Sequence, residues 1–279
     1  MQATLEFPDL LRLIDERSTA FRAAVASAAS LDVQVPTCPD WTLFDLVKHL
    51  GDGRRAWAAT IAAGPHATAK AAAEGAPAAP REREALLAWL AASTQELLDA
   101  LREAGPDRGC WTWWGTSQSP QTCGAVARHQ LQEIAVHTYD AQLSVRAPQP
   151  LPVEVALDGV DEFLSTCVAT TEAWPHEAAA VDYHATEGRS WRLWLSADGA
   201  RTARLPTQGA MPGRGRGRRL RQPHGRRANP GFLRPHAGGL PEGRPRPTSL
   251  RSARGLGAGL GVLPIIAACD GPKRRLGSR

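Results

Sequence analysis

Hydrophobic residues recur every three or four positions in four stretches of the first 145 residues. This spacing predicts four amphipathic helices, at about residues 5–29, 42–63, 81–104 and 122–145. The connections between them differ in length, and the longest, Gly64–Pro80, is rich in Ala, Gly and Pro and predicts a flexible surface loop. Four such helices predict a four-helix bundle.

Turn and capping residues set the boundaries of the second and third helices. Residues 36–41 contain two prolines and end the first helical pattern. Thr42 and Asp45 have the spacing of a capping box, which predicts a helix start at Thr42. The third helix follows Pro80 and stops at Gly105.

Beyond a Pro-rich linker at 148–152 the pattern changes twice. Residues 155–168 predict another amphipathic helix, whose apolar set is Val155, Leu157, Val160, Phe163, Leu164 and Cys167. Residues 181–185 and 191–195 then alternate with a period of two around Glu187-Gly188, which predicts a β-hairpin. A small α/β domain is therefore expected at 153–204, after a helical domain at 1–147. No periodic pattern continues past Arg204.

Charge divides the chain at the same place. Residues 1–200 carry 15 Lys and Arg against 26 Asp and Glu, whereas residues 201–279 carry 18 against 2. The latter stretch also holds 15 Gly and 10 Pro. One interpretation of the tail at 205–279 is a disordered arm that binds nucleic acid through phosphate neutralisation. The other is translation of a GC-rich gene in the wrong reading frame, because the change falls inside an expected domain.

Localisation signals are few. The amino terminus has no basic flank leading into an apolar run, and the apolar stretch 255–269 is short and interrupted by Pro264. We therefore expect no signal peptide and no membrane span. Five cysteines without a C-x-x-C pair favour reduced thiols, and a cytoplasmic location is expected.

Candidate metal chemistry lies on the fourth helix. His129, Glu133 and His137 follow one another at i,i+4 spacing and so share one helix face. In a bundle, a spaced carboxylate–His pair commonly combines with a His or Glu from a facing helix, and His49 of the second helix fits that role. Two imidazoles and one carboxylate would leave a coordination position open, as in catalytic zinc sites. Taken alone, His49 could equally be a hydrogen-bonded core residue.

Other polar residues near these candidates receive plainer interpretations. His129 is expected to be solvated or to act behind the ligands, and Asp140 to pair with a surface base rather than to orient an imidazole. Cys38 is interpreted as a buried, inert thiol rather than a nucleophile. The tryptophans at 111–114 are expected to form core and pocket wall rather than a surface on which nucleic-acid bases stack, since the helical part is acidic.

The combination of motifs resembles a known family. Thr37-Cys-Pro-Asp-Trp-Thr42, His49-Leu-Gly51, Trp111–Gly115 and Glu133-x-x-x-His137-x-x-Asp140 are together similar to the mycothiol-dependent maleylpyruvate isomerase family, over about residues 8–200. The resemblance implies a mainly α fold, in which a DinB-like four-helix bundle is followed by a small α/β domain. Here that domain is expected to be incomplete and followed by the basic low-complexity tail. The family's metal ligands carry over to His49, Glu133 and His137.

The resemblance also implies a function. A divalent metal, zinc in the first place, would bind with mycothiol or a similar low-molecular-weight thiol as co-substrate. The enzyme would perform cis–trans isomerisation of, or S-transfer to, a small electrophile. No membrane partner is expected, and a nucleic-acid partner is expected only if the basic tail is genuine. The chain departs from the family pattern at Thr138 and Tyr139, where an Arg and a Trp are usual, and it shows no continuation of the carboxy-terminal domain after the hairpin. The alternative is a non-catalytic, DinB-like metal-binding or regulatory protein.

Overall fold

A computed structural model describes residues 5–68, 71 and 75–206, together with the backbone of 234–236. The chain divides into two compact units: the first holds the described residues up to Thr171, and the second begins at Glu172. Apart from Leu205, Pro206 and the backbone of 234–236, the basic tail lies outside the described residues, so both interpretations of it stay predictions.

The four predicted helices are present, and their bounds lie close to those expected from the sequence. They are α1 (Phe7–Ser27), α2 (Leu43–Ala63), α3 (Arg83–Ala104) and α4 (Cys123–Ser144). The predicted capping box is confirmed, because the Thr42 side chain accepts from the Asp45 amide and the Asp45 carboxylate accepts from the Thr42 amide. A local pair of side chains thus fixes the first turn of the helix that carries His49.

The helices pack as a bundle around one apolar core. The α1 helix lies mainly against α4, and α2 lies mainly against α3. The core includes Ile14, Phe21, Leu46, Trp57, Leu86, Leu90, Leu97, Leu98, Leu101, Leu131 and Ile134. Each such leucine or isoleucine contributes about 1.5–3 kcal/mol to folding by leaving water, which offsets the cost of ordering the polar groups at the site. The predicted mainly α class is confirmed.

A short hairpin that the sequence pattern did not predict joins α1 to α2. Its strands are β1 (Gln34–Val35) and β2 (Cys38–Thr42), which pair in antiparallel fashion. The Leu43 amide donates to the Val33 carbonyl and the Phe44 amide to the Leu31 carbonyl, so the hairpin is tied to the first turn of α2. It places Thr37 beside Asp140 of α4 and Trp41 beside His49 of α2.

A fifth helix, α5 (Val153–Phe163), continues as one π-helical turn over Leu164–Val168 and packs against α4 within the first unit. Val155, Leu157 and Leu164 of the predicted apolar set are buried as expected, but the inward face of α5 also holds two carboxylates. Asp158 and Glu162 are buried, whereas Val160 and Phe163 are only half-buried. Polar partners on α4, described below, explain how two carboxylates can be buried on this face.

The second unit contains a small antiparallel sheet, in agreement with the predicted β region after the helices. The strands β3 (Ala179–His184) and β4 (Ser190–Ser196) form the predicted hairpin, and β5 (Gly199–Arg204) and β6 (Arg234–His236) extend it in the order β5-β4-β3-β6. Asp182 and Arg192 face each other across β3 and β4 and form a two-bond ion pair. Among the described residues, no helix is both long and apolar enough to cross a lipid bilayer.

Candidate metal centre

The structure brings His49, Glu133 and His137 together between two facing helices. His49 lies near the start of α2, and Glu133 and His137 lie one turn apart on α4. One ligand atom from each residue lies within 4.8 Å of the others. The prediction that His49, rather than His129, completes the set with Glu133 and His137 agrees with this geometry; metal binding itself stays a prediction.

The donor atoms converge on one oxygen of the carboxylate. Nε2 of His49 lies 3.5 Å from Oε2 of Glu133, and Nε2 of His137 lies 3.7 Å from the same oxygen. Ligands at about 2.0–2.1 Å from a tetrahedral zinc ion lie roughly 3.3–3.4 Å from one another. The two histidine–carboxylate separations are therefore close to those between ligands of one small divalent ion. The His49 and Glu133 side chains are 21% and 17% exposed, so the centre can be reached from solvent.

Glu133 is held in its charged form. Burial alone would raise the pKa of its carboxyl, but the hydrogen bond from His49 and the positive charges of His137 and His129 outweigh burial and lower the pKa to about 2. A metal ligand must be deprotonated to bind. The apo site therefore already presents an anionic oxygen between two imidazoles.

A buried guanidinium lies behind this carboxylate. Arg54 of α2 donates to Ser18 Oγ at 2.8 Å and to Thr94 Oγ1 at 2.6 Å, and so links three helices through hydroxyl groups. Burial, with a smaller contribution from the charge of Arg22, lowers the pKa of Arg54 to about 9, while the charge of Glu133 opposes that shift. Arg54 therefore stays charged at neutral pH and adds to the positive surroundings of Glu133.

Asp140 orients one of the two imidazoles. Nδ1 of His137 lies 2.9 Å from Oδ2 of Asp140, and Thr37 donates to Oδ1 of the same carboxylate at 2.6 Å. With Nδ1 directed at Asp140, Nε2 is the ring nitrogen of His137 that faces Glu133 and is available to a metal ion. Asp140 is only 2% exposed, so its expected pairing with a surface base was wrong. The carboxylate instead accepts from the imidazole one turn before it on the same helix.

The hairpin before α2 supplies one wall of the site. The half-buried Trp41 ring lies 4.7 Å from the His49 ring and 6.3 Å from the His137 ring, between centroids. The Cys38 thiol is also half-buried, and burial together with the negative charge of Asp140 raises its pKa. This agrees with an inert thiol, although burial is less complete than expected.

His129 does not lie in solvent, as one of its two expected roles required. It is 6% exposed, and its Nδ1 lies 3.0 Å from Oε1 of Glu162 on α5. Its Nε2 lies 3.9 Å from Oε1 of Glu133, the carboxylate oxygen that faces away from the two candidate ligand histidines. The solvated interpretation is therefore wrong, and the imidazole lies behind the candidate ligands. Sequence reasoning missed Glu162 because its position belongs to the face of α5 predicted to be polar.

Two rings of the tryptophan-rich loop, together with Trp57 of α2, surround His129. The centroids of Trp114, Trp113 and Trp57 lie 5.1, 5.7 and 6.3 Å from that of the His129 ring. Trp114 is buried and donates from Nε1 to the Pro120 carbonyl. These rings behave as core and as wall, as the sequence indicated, and they exclude water from the side of Glu133 that faces α5.

Fold and site together define a helical-bundle protein that brings two imidazoles and a carboxylate together between α2 and α4. Residues 11–142 match the family model of the mycothiol maleylpyruvate isomerase N-terminal domain. This confirms the family resemblance for that segment, which contains His49, Glu133, His137 and Asp140; Glu162 lies beyond it. No curated protein and no solved structure matches the chain.

Proposed function

We propose that this protein is a divalent-metal-dependent enzyme that uses mycothiol or a similar low-molecular-weight thiol on a small electrophilic substrate. The observation that carries the proposal is the convergence of His49, Glu133 and His137 within 4.8 Å, inside the segment matched to the mycothiol maleylpyruvate isomerase N-terminal domain. Zinc is the metal that this donor set favours, since imidazole nitrogen and carboxylate oxygen are common zinc ligands.

The residues present fit such an ion and define its role. Nε2 of both histidines and Oε2 of Glu133 would hold it, and three protein ligands leave one position for an exogenous group. A divalent ion in this position lowers the pKa of a thiol, as it does for water. Asp140 keeps His137 in the tautomer that binds. Trp41 and the tryptophans around His129 limit water near the site, which protects a thiolate from protonation.

Two overall reactions are compatible with a thiolate in this place. Its addition to a conjugated double bond, rotation about the resulting single bond and expulsion of the thiolate would convert a cis alkene to the trans isomer. Attack on an electrophilic carbon that bears a leaving group would instead transfer the thiol sulfur to the substrate. The first returns the thiol unchanged and the second consumes it, so the fate of the thiol distinguishes the two reactions.

A metal analysis of the purified chain tests the proposal. The wild-type protein is expected to bind about one equivalent of zinc, and Glu133→Ala to lose most of it, because three ligands become two. Glu103→Ala, which removes an exposed carboxylate of α3, should bind zinc as the wild type does. Equal zinc in the wild type and Glu133→Ala would refute the assignment of the site.

A non-catalytic metal-binding or regulatory role is the second candidate. It is favoured by the extent of the family match, which ends at residue 142 and leaves α5 and the sheet unmatched. Thiol-dependent isomerisation of maleylpyruvate, or thiol transfer to a chromogenic electrophile such as 1-chloro-2,4-dinitrobenzene, by the zinc-loaded chain would exclude this role. Zinc binding without thiol-dependent turnover of either compound would favour it over the enzyme.

A further inference from the structure

Glu133 is contacted on both of its oxygens, by different groups. Oε2 faces His49 and His137, at 3.5 and 3.7 Å. Oε1 faces Nε2 of His129 at 3.9 Å. A carboxylate can bind a metal ion through one oxygen or through both, so whatever holds Oε1 decides which mode Glu133 adopts.

His129 is itself held by a second carboxylate. Its Nδ1 lies 3.0 Å from Oε1 of Glu162, and the two side chains are 7% and 4% exposed. Each ring nitrogen of this buried imidazole therefore faces a carboxylate oxygen, the group that accepts from a ring N–H. The rings of Trp57, Trp113 and Trp114 surround the same imidazole and limit its movement.

Glu162 is placed by the docking of α5 on α4. Arg128 of α4 binds Asp158 at 2.8 Å and Asp161 at 3.0 Å, both on α5. Gly159 packs so closely on α4 that a Cβ there would lie 2.1 Å from Oε1 of Gln132. These contacts, all within the four residues before Glu162, hold the turn of α5 that carries it against α4. The contacts of His129 with Glu162 and with Glu133 therefore connect α5 to the candidate metal ligand.

We propose that His129 and Glu162 are positioning residues that hold the outer oxygen of Glu133, so that Glu133 ligates the metal through one oxygen only. The proposal rests on the metal-dependent function proposed above. Under this proposal α5, which lies outside the family-matched segment, helps to position a metal ligand. Without His129 the carboxylate is free to rotate and to bind with both oxygens, which fills the position that the thiol needs.

Cobalt(II) substituted for zinc tests this, because its visible absorption reports coordination number. Glutamine can place its amide nitrogen near Nε2 of His129, and asparagine can place its own near Nδ1. We expect His129→Asn to bind cobalt about 10- to 100-fold more weakly than the wild type, with weaker visible bands as coordination increases. His129→Gln should recover much of the cobalt affinity and of the intensity of the visible bands. Glu162→Gln should resemble His129→Asn in direction, because the imidazole loses its anionic partner.

Asp161→Asn is the matched control, since it weakens one partner of Arg128, leaves the two-bond pair of Arg128 with Asp158 that docks α5, and does not touch His129. Its cobalt affinity and spectrum should equal those of the wild type.

An equal loss of cobalt affinity in Asp161→Asn and Glu162→Gln would overturn the proposal, because the docking of α5 alone would then explain both losses. Wild-type affinity and spectrum in folded Glu162→Gln and His129→Asn would also overturn it. If His129→Asn fails to fold, the cobalt affinity and spectrum of Glu162→Gln, which keeps the size of the side chain, test the proposal instead. A wild-type chain that binds neither zinc nor cobalt would instead refute the proposed function.

Discussion

Asp140 shows how a single buried carboxylate ties the candidate ligands to the hairpin before α2. It accepts from His137 Nδ1 and from Thr37 Oγ1, so one side chain fixes the orientation of a ligand and the position of the β1–β2 turn. Outer groups of this kind raise the basicity of a ligating imidazole and restrict its rotation. The sequence offered two interpretations of Asp140, and only its burial beside His137 decided between them.

Replacing Asp140 should weaken metal binding without removing a ligand. Asp140→Ala is expected to lower zinc affinity about 10- to 100-fold, because His137 can then rotate or adopt the other tautomer. Asp140→Asn, which keeps an acceptor oxygen, should lose less. A competition titration against a chromogenic chelator measures both. Wild-type zinc affinity in Asp140→Ala would show that His137 needs no such support.

At the scale of elements, the α2–α3 contact explains the glycine that follows His49-Leu50. A Cβ on Gly51 would lie 2.0 Å from the Trp89 ring. That ring is fixed from two sides, because its Nε1 donates to the Pro77 carbonyl at 2.7 Å and the Arg55 guanidinium lies 4.5 Å from its centroid. The glycine therefore lets α3 approach the turn of α2 that carries His49.

Gly51→Ala should destabilise the bundle, while Gly53→Ala should not. Overpacking against a fixed indole costs about 1–3 kcal/mol, which outweighs the roughly 1 kcal/mol that alanine gains over glycine in a helix. A methyl group on Gly53 would have nothing within 4 Å, so only the helical gain remains there. Urea unfolding followed by far-UV circular dichroism should move the two variants in opposite directions. A Gly51→Ala protein as stable as the wild type would show that Trp89 shifts freely.

For the whole molecule, the charged Glu133 links the site to acid stability. Its pKa is about 2 in the folded chain against an ordinary value of 4.5. A carboxyl whose pKa is lowered by folding stabilises the native state above its unfolded pKa, and this contribution is lost as pH falls toward its folded pKa. The metal-free site should therefore contribute its stability at about pH 5 and above.

Glu133→Gln in the chelator-treated protein measures that contribution. We expect the wild type to exceed the variant by at most about 3 kcal/mol in free energy of unfolding at about pH 6. The difference should shrink between about pH 4.5 and pH 2. Glu103→Gln should follow the wild type across that range. A wild-type advantage that stays constant from neutral to acidic pH would contradict the lowered pKa.

The fold was largely predictable because its signals are local. Helical periodicity, the Thr42–Asp45 box and the glycine after α3 each depend on residues a few positions apart, and the four helices follow them closely. The β1–β2 hairpin escaped prediction because strands of two and five residues carry no readable period. Its pairing depends on backbone bonds to the start of α2.

The candidate site likewise has one part that local sequence signals predict and one part that depends on tertiary contacts. The sequence by itself determined that Glu133 and His137 share a face, because the helical repeat places i,i+4 side chains together. The position of His49 on a facing helix and the family resemblance together indicated it as the third candidate ligand. Only the tertiary structure decided the groups behind them. Asp158 and Glu162 of α5 are buried although they lie outside its predicted apolar set, because Arg128 and His129 on α4 pair with them and offset the cost of burying a carboxylate. Such pairing between polar residues about 30 positions apart produces no periodic pattern in the sequence from which it could be predicted.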